Sequence, residues 1–206
     1  MNEILKYFPY LTERQQAQMA ALYDLYADWN QKINVISRKD IEHLYEHHVL
    51  HSLAIARFVK WKEGTKVLDF GTGGGFPGIP LAILYPDCHF HLIDGTGKKI
   101  RVVNEVAQAI GLENVRASHL RGEEEKEKYD FVVSRAVMPL PSLVRIVRKN
   151  ISKTQRNAIG NGVICLKGGD VSEETQPFGR VVETVDISEW FEEEWFKEKH
   201  IIYLPL

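Results

Sequence analysis

The chain has 206 residues, a hydrophobic share of 44%, a charged share of 26% and a formal net charge of −2. These values are ordinary for a soluble globular protein of one large domain, and no apolar run reaches the roughly 18 residues of a membrane span. The near-neutral charge excludes a protein that holds nucleic acid by overall charge alone, so any nucleic-acid partner must meet a local basic patch.

The N-terminal part, residues 1–60, is predicted to be a helical extension packed on the main domain. Its first residues lack the basic start and apolar stretch of a secretory signal, so we expect a cytoplasmic protein. Thr12 and Gln15 have the spacing of a capping box, which predicts that a helix begins there. A second helix is expected from Asp40, whose side chain can cap it. Apolar residues at helical spacing in the two helices are Met19, Leu22, Tyr23, Tyr26, Trp29 and Ile33, then Ile41, Leu44, Tyr45, Val49 and Leu53.

Residues 61–206 are predicted to form the main domain, because short apolar runs alternate there with helical stretches in the pattern of β-α-β units. Strands are predicted at 66–70, 89–94, 114–117, 130–134 and 162–166. Helices are predicted near 78–85, 97–110 and 140–150, and two later strands near 180–185 and 199–204 should form an antiparallel edge pair. The sequence therefore predicts an α/β fold with a mostly parallel seven-stranded sheet and helices on both faces. Cys88 and Cys165 should be reduced, buried thiols.

The first predicted strand runs directly into a glycine-rich loop, Gly71-Thr72-Gly73-Gly74-Gly75, followed by Phe76-Pro77-Gly78-Ile79-Pro80 and a helix. Glycines let a backbone turn sharply and approach a ligand closely, and the prolines suit a first helical turn. Two classes of ligand fit this arrangement. Residues 73–78 satisfy the dinucleotide pattern G-x-G-x-x-G, and a strand, loop and helix of this kind can also bind S-adenosylmethionine. A purely structural loop is a third possibility.

Charge separates the two ligand classes. Asp69 lies at the strand tip, two residues before Gly71. A dinucleotide would bring an anionic pyrophosphate towards this carboxylate, whereas S-adenosylmethionine brings an ammonium and a sulfonium and no phosphate. Asp94 ends the next predicted strand, where an acid can accept hydrogen bonds from the ribose of either ligand. The two acids favour the methyl donor, with a nicotinamide or flavin cofactor as the alternative.

The ends of the later predicted strands supply further candidates. Gly122 and Glu123 could border an adenine, or Glu123 could belong to a solvated acidic loop. Arg135 could hold a carboxylate or a phosphate bidentately, or form a surface salt bridge. Lys167 would place a cation on the substrate side, where it would suit RNA phosphate.

Other charged residues fall into groups whose roles stay open. Two basic clusters could meet nucleic acid or form solvated helix faces: Lys98, Lys99 and Arg101, and then Arg145, Arg148, Lys149, Lys153 and Arg156. His43, His47 and His51 have a spacing of four, which places them on one helical face and can bind metal. Because no matching carboxylate motif accompanies them, we expect no metal site.

The segment 71–82 resembles the glycine loop of the bacterial small-subunit ribosomal RNA guanine N-7 methyltransferases, also called the glucose-inhibited division protein B family. Its specific part is Pro-Gly-Ile-Pro at 77–80. The resemblance covers roughly residues 10–170, and the other agreeing segments are Trp29-Asn30, Ile33-Asn34-Val35, Gly97-Lys98-Lys99, Leu112-Glu113-Asn114, Ser134-Arg135-Ala136 and Leu166-Lys167-Gly168. At residues 47–52 the family usually has Arg-His-x-x-Asp-Ser. In this chain His47 stands in place of the arginine and His51 in place of the aspartate. A buried Arg–Asp pair would then be absent.

The resemblance implies a Rossmann-like class I methyltransferase fold and a monomer that acts on 16S rRNA of the small ribosomal subunit. The methyl group would pass from S-adenosylmethionine to N-7 of a guanine, guanine 527 in standard numbering. Donor contacts would come from loop residues and from the ends of the neighbouring strands: Asp69, Gly71, Gly73, Phe76, Asp94, Gly95, Thr96, Gly122, Glu123 and Arg135. Phe76, Arg135 and Lys167 are the expected substrate-side groups. No pair of residues would be required as a general acid and base, because guanine N-7 has a lone pair and no proton. A small-molecule methyltransferase and a binding module without catalysis are the alternatives.

Overall fold

The computed structural model describes residues 1–206 and is built on a sheet of seven strands. The strands are β1 (Lys66–Phe70), β2 (His89–Asp94), β3 (Val115–His119), β4 (Phe131–Arg135), β5 (Gly162–Gly168), β6 (Glu183–Asp186) and β7 (Lys199–Pro205). Their order is β3-β2-β1-β4-β5-β7-β6. The first five strands run parallel, and β7 runs antiparallel to both β5 and β6. The predicted mostly parallel sheet with an antiparallel edge is confirmed.

Helices cover both faces of this sheet. They are α1 (Asn2–Tyr7), α2 (Glu13–Lys32), α3 (His51–Phe58), α4 (Gly78–Leu84), α5 (Gly97–Ala109), α6 (Leu140–Val147) and α7 (Ser172–Thr175). In the larger hydrophobic core, the helices α2, α3, α4 and α5 pack on one face of the sheet. In the smaller core, α6 packs on the other face. Successive residues of a strand point to opposite faces, so Val67 lies in the first core and Leu68 in the second.

The N-terminal segment shares the larger core, in which Tyr26 and Leu53 are fully buried beside sheet residues. The capping box predicted at Thr12 and Gln15 is present at the start of α2. The second predicted helix begins as a 3₁₀ turn (Ile41–His43), continues as a π-helix (Leu44–Leu50) and becomes α3. The division into an extension, residues 1–60, and a main domain, residues 61–206, stays a prediction.

Asp40 does not cap this second helix, so that prediction is wrong. Its carboxylate instead accepts hydrogen bonds from His47 Nδ1 at 2.5 Å and His48 Nε2 at 2.6 Å. Burial acts to raise the pKa of Asp40, but these two hydrogen bonds outweigh it and hold the pKa below its usual value. The carboxylate therefore fixes two imidazoles where a cap would have satisfied backbone N–H groups.

The two cysteines, Cys88 and Cys165, are free and buried, as predicted. No helix is both long enough and apolar enough to cross a membrane.

Candidate functional site

The glycine loop lies where the strand order reverses, between β1 and β4, at the carboxyl ends of the strands. Ligands of open α/β sheets bind in this crevice. Gly71, Gly73 and Gly75 all have positive φ angles, of 69°, 59° and 104°. A Cβ on Gly71 would lie 2.6 Å from Val137 Cγ2, whereas one on Gly73 would meet nothing within 4 Å. Gly71 therefore allows the loops after β1 and β4 to pack closely, and Gly73 turns the chain beside open space.

Asp69 is fully buried directly beneath this loop. Its Oδ2 accepts hydrogen bonds from the Thr72 hydroxyl at 2.6 Å and from the Gly78 backbone N–H at 2.8 Å. Its Oδ1 is buried without a hydrogen-bond partner. Burial raises the pKa of Asp69 to about 7, against the hydrogen bonds from Thr72 and Gly78 and the charge of Arg135. The carboxylate shapes the loop with one oxygen and has an unused acceptor on the other.

Asp94 stands at the end of β2, on the other side of the loop. Its Oδ2 accepts from the Gly73 backbone N–H at 2.9 Å, and its Oδ1 accepts from the Thr96 N–H at 2.8 Å. The two oxygens thereby fix the glycine loop to the start of α5. A Cβ on Gly95 would meet nothing within 4 Å. Gly95 and Thr96 are exposed, so the three residues form one open rim of the crevice.

The loop after β3 reaches the same edge of the sheet. Gly122 is buried against Phe70, and a Cβ on it would lie 1.8 Å from Phe70 Cε2. This contact leaves no room for a side chain and brings the loop against the end of β1. Glu123 exposes its side chain beside the crevice, while Glu125 of the same acidic run is buried. The acidic run 123–127 is therefore solvated only in part, and the alternative of a fully solvated loop does not hold.

Arg135, at the end of β4, is a half-buried cation without a carboxylate partner. Its hydrogen bonds go to the His47 carbonyl at 3.2 Å and to His48 Nδ1 at 3.0 Å. Burial lowers the pKa of Arg135 to about 10, so the guanidinium stays protonated at neutral pH. The surface salt bridge that the sequence left open is not formed, and some of the five donors of the guanidinium remain free for a ligand.

His48 is neutral and connects Arg135 to Asp40. Burial and then the charge of Arg135 lower the pKa of His48 to about 4. Because Nδ1 accepts from Arg135, the proton of the neutral ring lies on Nε2, which donates to Asp40. A continuous path of hydrogen bonds therefore runs from the N-terminal segment to the crevice.

Phe76 does not present its ring to the crevice, which argues against its predicted role beside the substrate, while its predicted contact with the donor stays a prediction. It is 2% exposed. Its centroid lies 5.0 Å from that of Tyr26 and 5.3 Å from that of His48, and Arg135 Cζ lies 5.2 Å from the ring centroid. Phe76 supports Arg135 from below, because a cation over an aromatic face is attracted to it.

Lys167 is not a free cation, and this corrects its prediction as a group for RNA phosphate. Its ammonium forms an ion pair with Glu174 at 2.8 Å and donates to the Met138 carbonyl at 2.7 Å. Glu174 also accepts from the Leu140 backbone N–H at 2.6 Å. A charge that is already neutralised and hydrogen-bonded attracts a phosphate weakly, so Lys167 joins β5 to the loop before α6.

The histidines that replace the family's usual arginine and aspartate lie against one tryptophan. His47 stacks on Trp195 with centroids 4.3 Å apart, and His51 meets the edge of the same ring at 5.0 Å. Burial lowers the pKa of His51 well below its usual value, and its Nε2 has no partner. His47 and His51 therefore make aromatic contacts with Trp195 at the two positions where the family usually has an arginine and an aspartate. No group of His, Cys, Asp or Glu has a metal-binding arrangement.

Sequence reasoning missed three contributors to the site. Tyr26, assigned only to an apolar stripe, donates its hydroxyl to the Gly74 carbonyl at 2.6 Å. Asp40 and His48 hold Arg135 in place. A tyrosine within a buried stripe is itself a usable signal, because its hydroxyl must find a partner. No comparable pattern points to Asp40, which binds residues seven and eight positions further on.

Comparisons with known proteins agree on one family. The family model described as "GidB: rRNA small subunit methyltransferase G" matches residues 15–195. The chain is 64% identical over 203 residues to "Ribosomal RNA small subunit methyltransferase G" of Bacteroides thetaiotaomicron, covering 98% of each chain. It is 53% identical over 206 residues to the protein of the same description from Flavobacterium psychrophilum, covering 100% of this chain and 98% of that one.

Solved structures of low identity share the fold. A SAM-dependent methyltransferase from Aquifex aeolicus superposes with a TM-score of 0.56 at 18% identity, over 82% of this chain and 97% of that chain. An rRNA methylase from Streptococcus thermophilus gives a TM-score of 0.52 at 12% identity, over 76% and 95% of the two chains. The fold is that of the Rossmann-like class I methyltransferases. The chain belongs to the GidB family, the rRNA small subunit methyltransferases G.

Proposed function

We propose that this chain transfers a methyl group from S-adenosyl-L-methionine to N-7 of a guanine in 16S rRNA. The carrying observation is a family match over residues 15–195 together with a crevice that combines two acids, an open glycine loop and one unpaired arginine. The finer proposal is guanine 527 as the target. We further propose that the enzyme is a cytoplasmic monomer and that its substrate is the RNA within the small ribosomal subunit.

The residues of the crevice fit the methyl donor. The buried Asp69 Oδ1 lacks a partner, so an ammonium group could satisfy it. Space above Gly73 and Gly95 suits the close approach of a ligand. The proposed donor contacts come from the glycine loop and the ends of four strands: Asp69, Gly71, Gly73, Phe76, Asp94, Gly95, Thr96, Gly122, Glu123 and Arg135. Pyrophosphate, by contrast, would meet two carboxylates there, which argues against a dinucleotide.

The chemistry requires alignment rather than proton transfer. S-adenosylmethionine, when bound, supplies an electrophilic methyl group on a sulfonium. Guanine N-7 has a lone pair and no proton, so the new N–C bond forms as the C–S bond breaks and no base is needed. Arg135 can hold an anionic group and orient it with its two parallel donors. Holding the reactants in line and excluding water are the two contributions that this site would make.

Tritiated S-adenosylmethionine, incubated with small subunits that lack the modification, tests the proposal. We expect label in the RNA, recovered as N-7-methylguanosine after digestion. A small-molecule methyltransferase would label an extract of metabolites and leave the subunits unlabelled, and a binding module would label neither. Label in a base other than guanine would also overturn the proposal.

A further inference from the structure

One surface beside the crevice carries cations from two separate segments. Residues 29–39 and 95–104 contain no acidic residue. Their cations, together with Trp29, define what we call the Trp29 surface: Trp29, Lys32, Arg38, Lys39, Lys98, Lys99 and Arg101. Within it only Lys32 forms an ion pair, with Asp28 at 2.7 Å. The other cations have no carboxylate partner, so their charge is available to a ligand.

The Trp29 surface is fixed to the glycine loop. Asn30 Oδ1 accepts from the backbone N–H groups of Val35 and Ile36 at 2.9 and 3.0 Å, which holds the segment before Arg38 in place. A Cβ on Gly74 would lie 3.1 Å from Val35 Cβ, so this segment packs directly on the glycine loop. The surface therefore has a rigid position relative to the methyl-transfer crevice.

The other half of the surface begins at the rim of the crevice. Lys98 and Lys99 occupy the first turn of α5, three and four residues after Gly95. Cations at this end of a helix oppose the helix dipole, and α5 has no acid in its first turn to compensate. Their placement costs helix stability, which suggests that these lysines serve binding rather than folding.

Trp29 joins the two halves. Lys32 Nζ lies 5.1 Å and Arg101 Cζ lies 5.8 Å from the centroid of its ring, and the ring is only partly buried. An aromatic face between cations is the arrangement that single-stranded nucleic acid prefers, because bases stack on the ring while the cations meet phosphates. A small anion would meet the cations but could not stack on the ring.

Charge elsewhere on the molecule favours this surface over the alternatives. Arg145 and Arg148 of the second basic cluster are exposed, but they lie at the C-terminal end of α6. Lys149, next to Arg148, donates to the Glu123 carbonyl, and no cation of this cluster lies over an aromatic ring as Lys32 and Arg101 do over Trp29. The opposite sheet edge is acidic, with Glu183 and Asp186 in β6 and Glu189, Glu192, Glu193, Glu194 and Glu198 between β6 and β7. Such a segregation of charge orients an approaching polyanion towards the Trp29 surface.

We propose that the Trp29 surface binds the single-stranded RNA that flanks the target guanine, with a base stacked on Trp29. This inference rests on the proposed function. It places the RNA across the segment before Arg38 and the start of α5, so that the flanking phosphates lie beside the glycine loop.

The test compares two double variants that change the charge equally. Arg38→Glu with Arg101→Glu alters the Trp29 surface, and Arg145→Glu with Arg148→Glu is the matched control. We expect the first double variant to raise KM for unmodified small subunits about tenfold. The slope of log affinity against log salt concentration should fall by about 0.7 for each phosphate that is no longer bound. The control should stay within about twofold of the parent enzyme. Calorimetry with S-adenosylhomocysteine should give the same affinity for both, which shows that each variant is folded.

Trp29 provides an uncharged test of the same surface. Trp29→Ala should lose about tenfold in affinity for the RNA, and Trp29→Phe should recover most of it, since every base can stack on either ring. Equal effects of the two double variants, or no effect of Trp29→Ala, would overturn the docking proposal. If the parent enzyme fails to label small subunits, the proposed function itself is overturned. The two failures are therefore distinguishable.

Discussion

His48 accepts a hydrogen bond of 3.0 Å from Arg135, and this bond connects the π-helix of the N-terminal segment to the end of β4. The partners are complementary only while His48 is neutral, because a protonated imidazole has no lone pair to offer. Asp40 secures that state by accepting the Nε2 proton at 2.6 Å. The orientation of the one unpaired arginine in the crevice therefore depends on residues far from it in the sequence.

Replacing His48 separates its two hydrogen bonds. His48→Asn can keep an acceptor for Arg135, whereas His48→Gln can keep the donor to Asp40 but not the acceptor. Since a hydrogen bond to a charged group contributes about 1.5–3 kcal/mol, we expect kcat/KM for small subunits to fall about 10- to 100-fold in His48→Gln and much less in His48→Asn. Equal losses in both variants would show that Arg135 does not need this acceptor.

Asp69 should make donor binding depend on pH. Its pKa of about 7 lies above the usual value, so the carboxylate is partly protonated at neutral pH. A cationic ligand binds the ionised form, and its affinity should fall by up to about tenfold for each pH unit below 7. Calorimetry from pH 5.5 to 8.5 measures this. The Asp69→Asn variant should bind the donor more weakly than the parent at pH 8, and its affinity should not change with pH. A sloping profile that persists in Asp69→Asn would assign the titration elsewhere.

Gly95 and Gly122 form a pair that distinguishes ligand contact from packing. Gly95→Ala adds a methyl group to open space, so thermal stability should not change, while affinity for S-adenosylhomocysteine should fall about tenfold if the ligand occupies that space. Gly122→Ala forces a clash with Phe70, and we expect it to lower the free energy of unfolding by about 1–3 kcal/mol. Unchanged affinity in Gly95→Ala would remove Gly95 from the proposed donor contacts.

His51 should limit stability in acid. Burial lowers its pKa, so the unfolded chain takes up a proton that the folded protein refuses. Stability from this group is therefore present above the unfolded pKa, near 6.5, and is lost as the pH falls below it. His51→Leu should lose less stability than the parent between pH 6.5 and 5, by up to about 1.4 kcal/mol per pH unit. Denaturant titrations at the two pH values provide the comparison, and parallel losses would contradict it.

Lys167 should matter for stability and not for RNA. Removing Lys167 from this half-buried ion pair leaves Glu174 with only the Leu140 N–H as a partner, which costs about 1–3 kcal/mol. We expect Lys167→Met to be destabilised by that amount and the double variant with Glu174→Gln to recover part of the loss. The salt dependence of RNA binding should be the same in the double variant and the parent. A lower slope would restore Lys167 as a phosphate contact.

The sequence predicted the sheet well because its signals are local. Alternating apolar runs locate β1 and β2 to the residue, and the glycine loop after β1 marks the crevice. The errors arose where a side chain found a partner that spacing does not reveal. Lys167 is paired with Glu174, and Asp40 binds imidazoles on a π-helix, whose turns are wider than the 3.6-residue period assumed in reading the sequence. Burial of Phe76 likewise depends on Tyr26 and His48, which only the folded chain brings together.

Mapping the modified base tests the account most directly. Small subunits lacking the modification are incubated with the enzyme and S-adenosylmethionine, and their RNA is then treated with borohydride and aniline, which break the strand at N-7-methylguanosine. We predict one enzyme-dependent break in 16S rRNA, at guanine 527. A methylated RNA that resists cleavage, or a break at a different position, would contradict it.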